Sequence, residues 1–429
     1  MLRRLLQQHD GWLLSLVAGI AAFGTYSCMY AFRKAFAAGT YASVQLWGID
    51  YKICLVIAQV LGYMLSKFIG IRFVSGLKPE HRSKSILVLI GLSWLALLGF
   101  AVVPAPYNIV FLFLNGFPLG IIWGLVFSFL EGRRNTELMA AIMASSLVFA
   151  SGFVKSTGRY LLQHYQVSEY WMPFLTGLVF VLPLCLFVYL LQQVPPPAAE
   201  DIAARSERKP MTGADRIRFV RSYWPGLVMI VVTYLMLTIA RDLRDNFEVE
   251  IWTALGFGQQ PAIFTQIDLP VAIGVLLVIA MLITVKDNFK AFMYLHYLIL
   301  AGCLIVLVST VLFSNGYLAP VAWMAMTGFG LYLSYVPYNS IYFERMIATF
   351  RITGNVGFVM YLADAMGYLG SVSVLFYRQL ATMHHSWLYF FSKTLLLVAV
   401  SGIVCVLLSM QYFRRKYSSN ISLIKTVTI

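Results

Sequence analysis

Charged residues are scarce in this sequence: Asp, Glu, Lys and Arg together make up only 12% of its 429 residues. Soluble domains carry about 25% charged residues, so this shortage excludes an ordinary soluble protein. The chain is instead 60% hydrophobic, and its mean hydropathy is +0.77. Apolar runs of about 20 residues, enough to cross a hydrocarbon core roughly 30 Å thick as a helix, recur along the whole chain. We therefore expect an all-α membrane protein.

The sequence also lacks the motifs of metal, redox and enzymatic chemistry. Its five cysteines show no CxxC spacing and all lie in apolar runs, which is typical of packing residues rather than of disulfides or metal ligands. No nucleophile–base pattern, phosphate-binding loop or dinucleotide fingerprint is present. The adjacent His384 and His385 are a weak metal signal, and we assign no metal to them. We predict no cofactor, no metal and no enzymatic activity.

Positive charge is the one kind of charge in surplus, with a formal net charge of +14. In a soluble protein this surplus would indicate a nucleic-acid partner. Here the basic residues flank apolar runs, which is how lysine and arginine anchor membrane helices on the cytoplasmic side. The expected partners are therefore the lipid bilayer and a small-molecule substrate, without nucleic acid.

The hydrophobic pattern predicts twelve membrane-spanning helices, numbered here as spans 1 to 12. They cover residues 12–36, 51–74, 84–103, 107–131, 138–163, 170–191, 223–247, 262–285, 290–313, 318–343, 353–378 and 387–411. A linker rich in proline, alanine and charge separates two sets of six spans. The predicted domains are an N-terminal six-helix bundle at 1–191, a cytoplasmic linker at 192–222 and a C-terminal six-helix bundle at 223–429. This layout resembles the major facilitator superfamily, whose two bundles hold the substrate between them near the membrane midplane.

The distribution of lysine and arginine predicts the orientation. With the N-terminus inside, nearly all basic residues between spans fall on the cytoplasmic side, and the opposite side holds only Lys52 and Arg378. This bias predicts that both termini are cytoplasmic. We expect a multi-pass monomer in the plasma membrane, the inner membrane of a bacterium.

Ionisable residues inside the spans are the strongest functional signal. Each costs about 2.5–3.5 kcal/mol to insert at the centre of a membrane helix, so each should face a wet cavity or a partner. The cationic set is Arg33, Lys34, Lys67, Lys155, Arg159, Arg241, Arg244 and Lys393. The acidic set is Asp242, Asp245, Asp268 and Asp364, with Glu131 and Glu344 near span ends. The surplus of positive charge predicts a small anion as substrate.

Spacing groups these cations on helix faces. Lys155 and Arg159 are four residues apart and share a face, as do Arg241 and Arg244 at a spacing of three. Arg241 and Asp245 are placed to pair along span 7, which would leave Arg244 freer. Arg33 lies toward the end of span 1, so an alternative is that it reaches out to the headgroups.

Two polar patterns in the predicted spans leave alternatives open. Tyr332, Tyr335, Tyr338 and Tyr342 repeat at spacings of three and four, so they form either a cavity lining or an aromatic packing seam. The stretch Asn115–Gly120 is either a tight packing face of span 4 or part of the substrate site.

Three short motifs carry a family resemblance. Tyr30–Phe36 reads Tyr-x-x-Arg-Lys-x-Phe, Ser66–Ile69 reads Ser-Lys-Phe-Ile, and Gly357-Phe358 is followed by Gly-Tyr-Leu-Gly at 367–370. In order and placement these motifs resemble helices 1, 2 and 11 of the organophosphate:phosphate antiporters, the branch that holds the bacterial glycerol-3-phosphate and hexose-phosphate carriers. Tyr234 followed by Arg241 is a looser match to helix 7 of that family.

The resemblance implies roles for individual residues. Arg33 and Arg241 would hold the phosphate between the two bundles, and Lys67, Tyr30 and Tyr368 would assist. The family's helix 5 histidine has no clear counterpart, and Lys155 is the nearest ionisable residue. Together with the spacing argument, the predicted substrate-binding residues are Arg33, Lys67, Arg241, Arg244, Lys155, Arg159, Tyr30, Tyr338 and Tyr368.

These observations predict a secondary transporter that exchanges an organic phosphate for inorganic phosphate by alternating access. One alternative is a proton-coupled symporter of another anion or of a neutral solute, with Asp268 and Asp364 as candidate proton carriers. A second alternative is a membrane sensor that binds a ligand without transporting it.

Overall fold

The structure is a computed structural model and describes residues 11–42, 44–133, 135–197, 213–352, 357–380 and 386–427. Within these residues it is almost entirely helical, and its one sheet is a two-stranded hairpin. The expectation of an all-α protein is therefore confirmed. His384, His385 and residues 198–212 of the predicted linker lie outside the described residues.

The first half of the chain contains helices at all six predicted positions. The helices are α1 (Trp12–Arg33), α2 (Tyr51–Gly76), α3 (Arg82–Val102), α4 (Ile109–Leu119), α5 (Ile122–Phe127), α6 (Thr136–His164) and α7 (Met172–Gln193). The hairpin strands β1 (Gln45–Leu46) and β2 (Ile49–Asp50) join α1 to α2. Span 4 differs from the prediction, since it is divided into α4 and α5 at Gly120, two residues after Pro118.

The second half also has a helix at each predicted position. The helices are α8 (Gly213–Ala254), α9 (Ile263–Ile283), α10 (Asn288–Ser314), α11 (Pro320–Ser340), α12 (Tyr342–Phe350), α13 (Gly357–Leu380) and α14 (Trp387–Val427). The predicted bounds of span 7, 223–247, were wrong, because α8 has 42 residues and continues to Ala254. It kinks at Phe247, whose φ of −118° and ψ of 19° are not helical.

Nine helices of the described chain are long and apolar enough to cross a membrane. Helices α2, α11 and α13 occupy the positions of the other predicted spans, 2, 10 and 11. The predicted binding residues lie in α2, α11 and α13 and also in α1, α6 and α8.

The chain forms two compact units that are not continuous in sequence. The first comprises Met1–Arg205, Leu243–Leu276 and Val372–Leu388, and the second comprises Ser206–Asp242, Leu277–Ser371 and Tyr389–Ile429. Helix α8 therefore contributes residues up to Asp242 to the second unit and residues from Leu243 to the first. The predicted division into two bundles at 192–222 stays a prediction.

Glycines allow close helix packing in the first unit. A Cβ atom on Gly116 would collide with the carbonyl oxygen of Gln59, and one on Gly62 with that of Phe113. Helices α2 and α4 thus cross with their backbones in contact, which small residues permit in membrane proteins. This close crossing fixes the position of α2 along α4, and with it the position of Lys67.

The core of the second unit includes the pair α10 and α11. A Cβ atom on Gly302 would collide with Ser334 and with the carbonyl oxygen of Gly330. Ser334 also donates a 3.0 Å hydrogen bond to the carbonyl of Ile299, so the two helices are joined by a polar contact as well as by packing.

Candidate functional site

The end of helix α1 and the middle of helix α2 form a cluster of cations and aromatic rings, here called the cation–aromatic cluster. The guanidinium carbon of Arg33 lies 3.8 Å from the ring centroid of Tyr63 and 5.9 Å from that of Tyr30. The ammonium of Lys67 lies 5.2 Å from the same Tyr63 ring. Arg33 is only 5% exposed, so it is directed into the protein and the headgroup alternative does not apply to it.

Sequence analysis missed Tyr63, although its spacing could have revealed it. Tyr63 precedes Lys67 by four residues and therefore lies on the same face of α2. It is buried, as is Tyr26, whose ring meets Tyr30 and Trp123 edge-on at 5.7 and 4.9 Å. Arg33 thus contacts the rings of Tyr30 and Tyr63, and Lys67 contacts the ring of Tyr63.

A set of hydrogen bonds, here called the Asn115 clasp, holds the end of helix α1 in place. The amide nitrogen of Asn115 donates to the carbonyl of Phe32 at 2.8 Å and to Ser93 at 2.6 and 3.0 Å. Gln59 donates to Asn115 at 2.7 Å and to the carbonyl of Arg33 at 2.6 Å. The two last carbonyls of α1 are therefore satisfied by side chains of α2 and α4. Asn115 acts in packing, and it fixes the backbone that carries Arg33.

Six buried ionisable side chains of the first unit form a second cluster, here called the ion-pair network. Its members are Lys34, Lys155, Arg244, Asp245, Glu248 and Asp268. Asp245 lies 2.7 Å from the Lys34 ammonium and 3.5 Å from that of Lys155. Glu248 pairs with Lys155 and lies 3.6 Å from Arg244.

Asp268 of helix α9 completes the network. Its carboxylate lies 2.9 Å from a terminal nitrogen of Arg244. Ser151 donates a short hydrogen bond to Asp245, and Asn246 accepts one from Lys34 at 2.8 Å. Helices α1 and α6 are thereby joined to the end of α8, and α8 to α9, through three cations and three carboxylates.

Within this network the buried cations and carboxylates are equal in number, so the surplus of buried positive charge is smaller than expected. The sequence count ended span 7 at residue 247 and so left Glu248 outside the membrane region. Because α8 continues past it, Glu248 is buried beside Lys155 and Arg244. The expected pair between Arg241 and Asp245 was also wrong, since Asp245 is paired with lysines of α1 and α6. A direct role of Lys155 and Arg244 in substrate binding stays a prediction.

Lys52, which sequence analysis assigned to the side opposite the cytoplasm, is a further buried cation. Its ammonium lies 2.6 Å from Glu250 of α8 and donates to the carbonyl of Ala37 at 3.0 Å. The pair lines a cavity of about 210 Å³ together with Phe247 and Trp387, whose rings stack at 3.6 Å. This ion pair links helix α2 to helix α8.

Arg241 lies in the second unit among tyrosines. Its guanidinium pairs with the neighbouring Asp242 at 2.7 Å, donates to the Tyr335 hydroxyl and lies 4.5 Å from the Tyr335 ring centroid. The Tyr368 ring is 5.9 Å away. Asp364 accepts a hydrogen bond from Tyr234, whose hydroxyl also meets that of Tyr335 at 3.0 Å. The arginine and the acid are thus linked through two tyrosines.

All four tyrosines of the predicted stripe are buried, three of them in α11 and Tyr342 at the start of α12. Tyr338 meets the ring of Tyr234 edge-on at 5.6 Å and that of Tyr342 at 4.6 Å. Tyr338 and Tyr342 contact other rings, as an aromatic packing seam would, and Tyr335 contacts Arg241. A cavity-lining role of the tyrosines stays a prediction.

Arg159 is separate from both clusters. It is partly buried and donates a 2.8 Å hydrogen bond to the carbonyl of Gly258. Within the described part of the chain, no group of three or more His, Cys, Asp or Glu side chains could hold a metal ion.

A sequence match decides the family. The model of a family of unknown function, DUF5690, matches residues 35–416. The chain belongs to the DUF5690 family. No curated protein matches this DUF5690 member by sequence.

Solved structures of three transporters are similar to this DUF5690 chain. A D-xylose–proton symporter has a TM-score of 0.58 at 12% identity, with 90% of this chain and 96% of that chain covered. A mutant peptide transporter POT in complex with alafosfalin has a TM-score of 0.61 at 14% identity, with 92% and 94% covered. The nucleoside transporter NupG has a TM-score of 0.58 at 13% identity, with 93% and 99% covered. At such low identity the likeness shows the fold alone, and it confirms the predicted major facilitator fold.

Proposed function

We propose that this DUF5690 protein is a secondary transporter of a small anion, which exchanges an organic phosphate for inorganic phosphate by alternating access. The observation that supports it is the cation–aromatic cluster. Arg33 and Lys67 lie within 6 Å of one Tyr63 ring, so two positive charges are held close together in a membrane helix pair. Like charges repel at such distances, and a phosphate would relieve that repulsion.

The chemistry of the cluster suits a phosphate group. The planar fork of an arginine forms paired, charge-assisted bonds to phosphate oxygens, and a lysine adds a point charge. The hydroxyl-bearing rings of Tyr26, Tyr30 and Tyr63 offer hydrogen bonds to the remainder of an organic phosphate. Arg241 with Tyr335 and Tyr368 is the corresponding group of the second unit, and the motif resemblance assigns the second phosphate contact to that arginine.

Exchange follows from the same electrostatics. The two neighbouring cations repel each other and so oppose the conformational change, whereas a bound anion offsets this repulsion. Each conformational change across the membrane then needs a bound anion, so uptake of one anion has to be matched by release of another.

The test is transport by the purified protein in proteoliposomes. Uptake of labelled glycerol 3-phosphate should require inorganic phosphate inside the vesicles. Arg33→Gln and Lys67→Gln should each abolish most of this exchange, whereas Lys393→Gln, an exposed lysine of α14, should leave it unchanged. Exchange that survives in an Arg33→Gln, Lys67→Gln double variant would contradict the proposal.

A proton-coupled symporter is the second candidate, and the buried acids favour it. Asp268 contacts Arg244 at 2.9 Å, and Asp364 accepts from Tyr234. Uptake driven by a pH gradient, without any internal anion and lost in Asp364→Asn, would establish this candidate in place of exchange. Substrate binding without flux in either assay would establish a sensor.

A further inference from the structure

The first turns of helix α8 and residues 411–419 of helix α14 lie side by side in the second unit. The Tyr412 hydroxyl donates a 3.2 Å hydrogen bond to the carbonyl of Ser222. The Lys416 ammonium lies 5.5 Å from the ring centroid of Tyr223. The two segments therefore present one continuous surface.

An exposed apolar stripe runs along this part of helix α8. Ile217, Val220 and Trp224 are 71%, 40% and 59% exposed. Their spacings of three and four place them on one helix face. A helix with an exposed apolar face that includes tryptophan is typical of a segment lying at the boundary between headgroups and acyl chains.

Basic side chains flank the stripe on both helices. Residues 213–224 contain three arginines and one aspartate, and residues 411–419 contain two arginines, one lysine and no carboxylate. Arg218, Arg221 and Arg415 are exposed. Across the described ranges, no carboxylate forms an ion pair with any of these three arginines. The surface is therefore both apolar and strongly positive.

We propose that this surface binds the headgroups of anionic phospholipids, with Arg218, Arg221 and Arg415 on the phosphates and Ile217, Val220 and Trp224 against the acyl chains. A soluble anion would use the arginines but would leave the apolar stripe exposed, so the combination favours a lipid. In the predicted orientation the surface faces the cytoplasmic leaflet. This inference is independent of the transported substrate.

The test is lipid binding to the full-length protein, measured by native mass spectrometry after titration with phosphatidylglycerol or phosphatidylcholine. Each arginine near an anionic membrane surface strengthens binding about fivefold. An Arg218→Gln, Arg221→Gln, Arg415→Gln variant should therefore bind phosphatidylglycerol roughly 100-fold more weakly and lose its preference over phosphatidylcholine. The matched control is Lys84→Gln, Lys286→Gln, Lys290→Gln, which removes three exposed basic charges at other helix ends and should change binding less than twofold.

Three results would overturn the proposal. The first is equal affinity of the wild-type protein for phosphatidylglycerol and phosphatidylcholine. The second is an equal loss of phosphatidylglycerol affinity in the triple variant and in its control. The third is complete displacement of the bound phosphatidylglycerol by soluble glycerol 3-phosphate. If the triple variant does not fold, the single Arg218→Gln and Arg221→Gln variants replace it. Each of these should lose about fivefold in affinity, and unchanged affinity in both would equally contradict the proposal.

Discussion

At the scale of single residues, the effect of substituting a buried charged side chain depends on its neighbours. Arg33 and Lys67 share an aromatic ring, whereas Lys155 and Arg244 lie among carboxylates. Removing one partner of a buried pair leaves an uncompensated charge and destabilises a protein by about 3–5 kcal/mol, whereas replacing both by apolar residues is often neutral. The two clusters should therefore respond differently to substitution.

The ion-pair network predicts a difference between single and double variants. Glu248→Met leaves Lys155 and Arg244 with one carboxylate fewer, so the free energy of unfolding should fall by about 3 kcal/mol. A Lys155→Met, Glu248→Met double variant should recover most of that loss. Thermal unfolding in detergent measures both, with Lys393→Met as the control at an exposed lysine. A double variant less stable than the single one would contradict the pairing.

The cation–aromatic cluster predicts a dependence on the shape of the cation. Arg33→Lys keeps the charge but loses the planar fork, and one lost charge-assisted hydrogen bond is worth about 1.5 kcal/mol or more. The apparent affinity for phosphate in the exchange assay should therefore fall at least about tenfold, while the melting temperature stays unchanged. Wild-type affinity in Arg33→Lys would show that the guanidinium geometry has no role.

At the scale of elements, the Asn115 clasp fixes where helix α1 ends. Asn115 and Gln59 contact the carbonyls of Phe32 and Arg33, so Arg33 is positioned by α2 and α4 as well as by its own helix. Buried polar groups left without a partner destabilise by about 1–3 kcal/mol each. A substitution in α4 should thus loosen the backbone at the end of α1.

We expect Asn115→Ala to increase amide hydrogen exchange at residues 30–36. It should also slow the transport of organic phosphate against inorganic phosphate, although Asn115 contacts no substrate in the proposal. Ser93→Ala is the matched control, because it removes only the Ser93 hydroxyl from the clasp and should have a smaller effect on both measurements. Equal hydrogen exchange in wild-type and Asn115→Ala proteins would show that the clasp does not hold α1.

The sequence was sufficient to locate the helices and the two cations of the cation–aromatic cluster, but it missed Tyr63 and was insufficient for the ion-pair network. Hydrophobic runs reveal segments that face lipid, and Arg33 and Lys67 stand out against them. Hydropathy does not reveal a buried helix segment whose charged side chains are paired with one another. For this reason the predicted span 7 ended before Glu248 and Glu250. The contact of Asn115 with Phe32 joins residues 83 positions apart, and no local pattern predicts such a pair.

At the scale of the whole molecule, the first unit combines helices from both halves of the sequence. Helix α9 contacts α6 through Thr265, whose hydroxyl lies 2.7 Å from that of Ser156. Alternating access, if it follows the major facilitator plan, moves one six-helix bundle against the other. Contacts between α6 and α9 should then open during each transport cycle.

A disulfide tests this opening. In a variant without Cys28, Cys54, Cys185 and Cys405, Ser156→Cys with Thr265→Cys should form a disulfide on oxidation, because these small side chains are in contact. Exchange should stop and return on reduction. The control is Ser334→Cys, which lies beside Cys303 with the two side-chain atoms 3.8 Å apart and joins α10 to α11 within the second unit. Exchange that continues with α6 and α9 joined would exclude the proposed movement.

The division of helix α8 between the two units after Asp242 has a mechanical consequence. Arg241 contacts Asp242 and Tyr335, Arg244 contacts Asp268, and only about 4.5 Å of helix axis separates the two arginines. A helical turn is stiff, so the anion that we propose to bind Arg241 would also strain the ion pairs of Arg244. In that proposal, binding at one arginine would change the strength of the ion pairs at the other through a single helical turn.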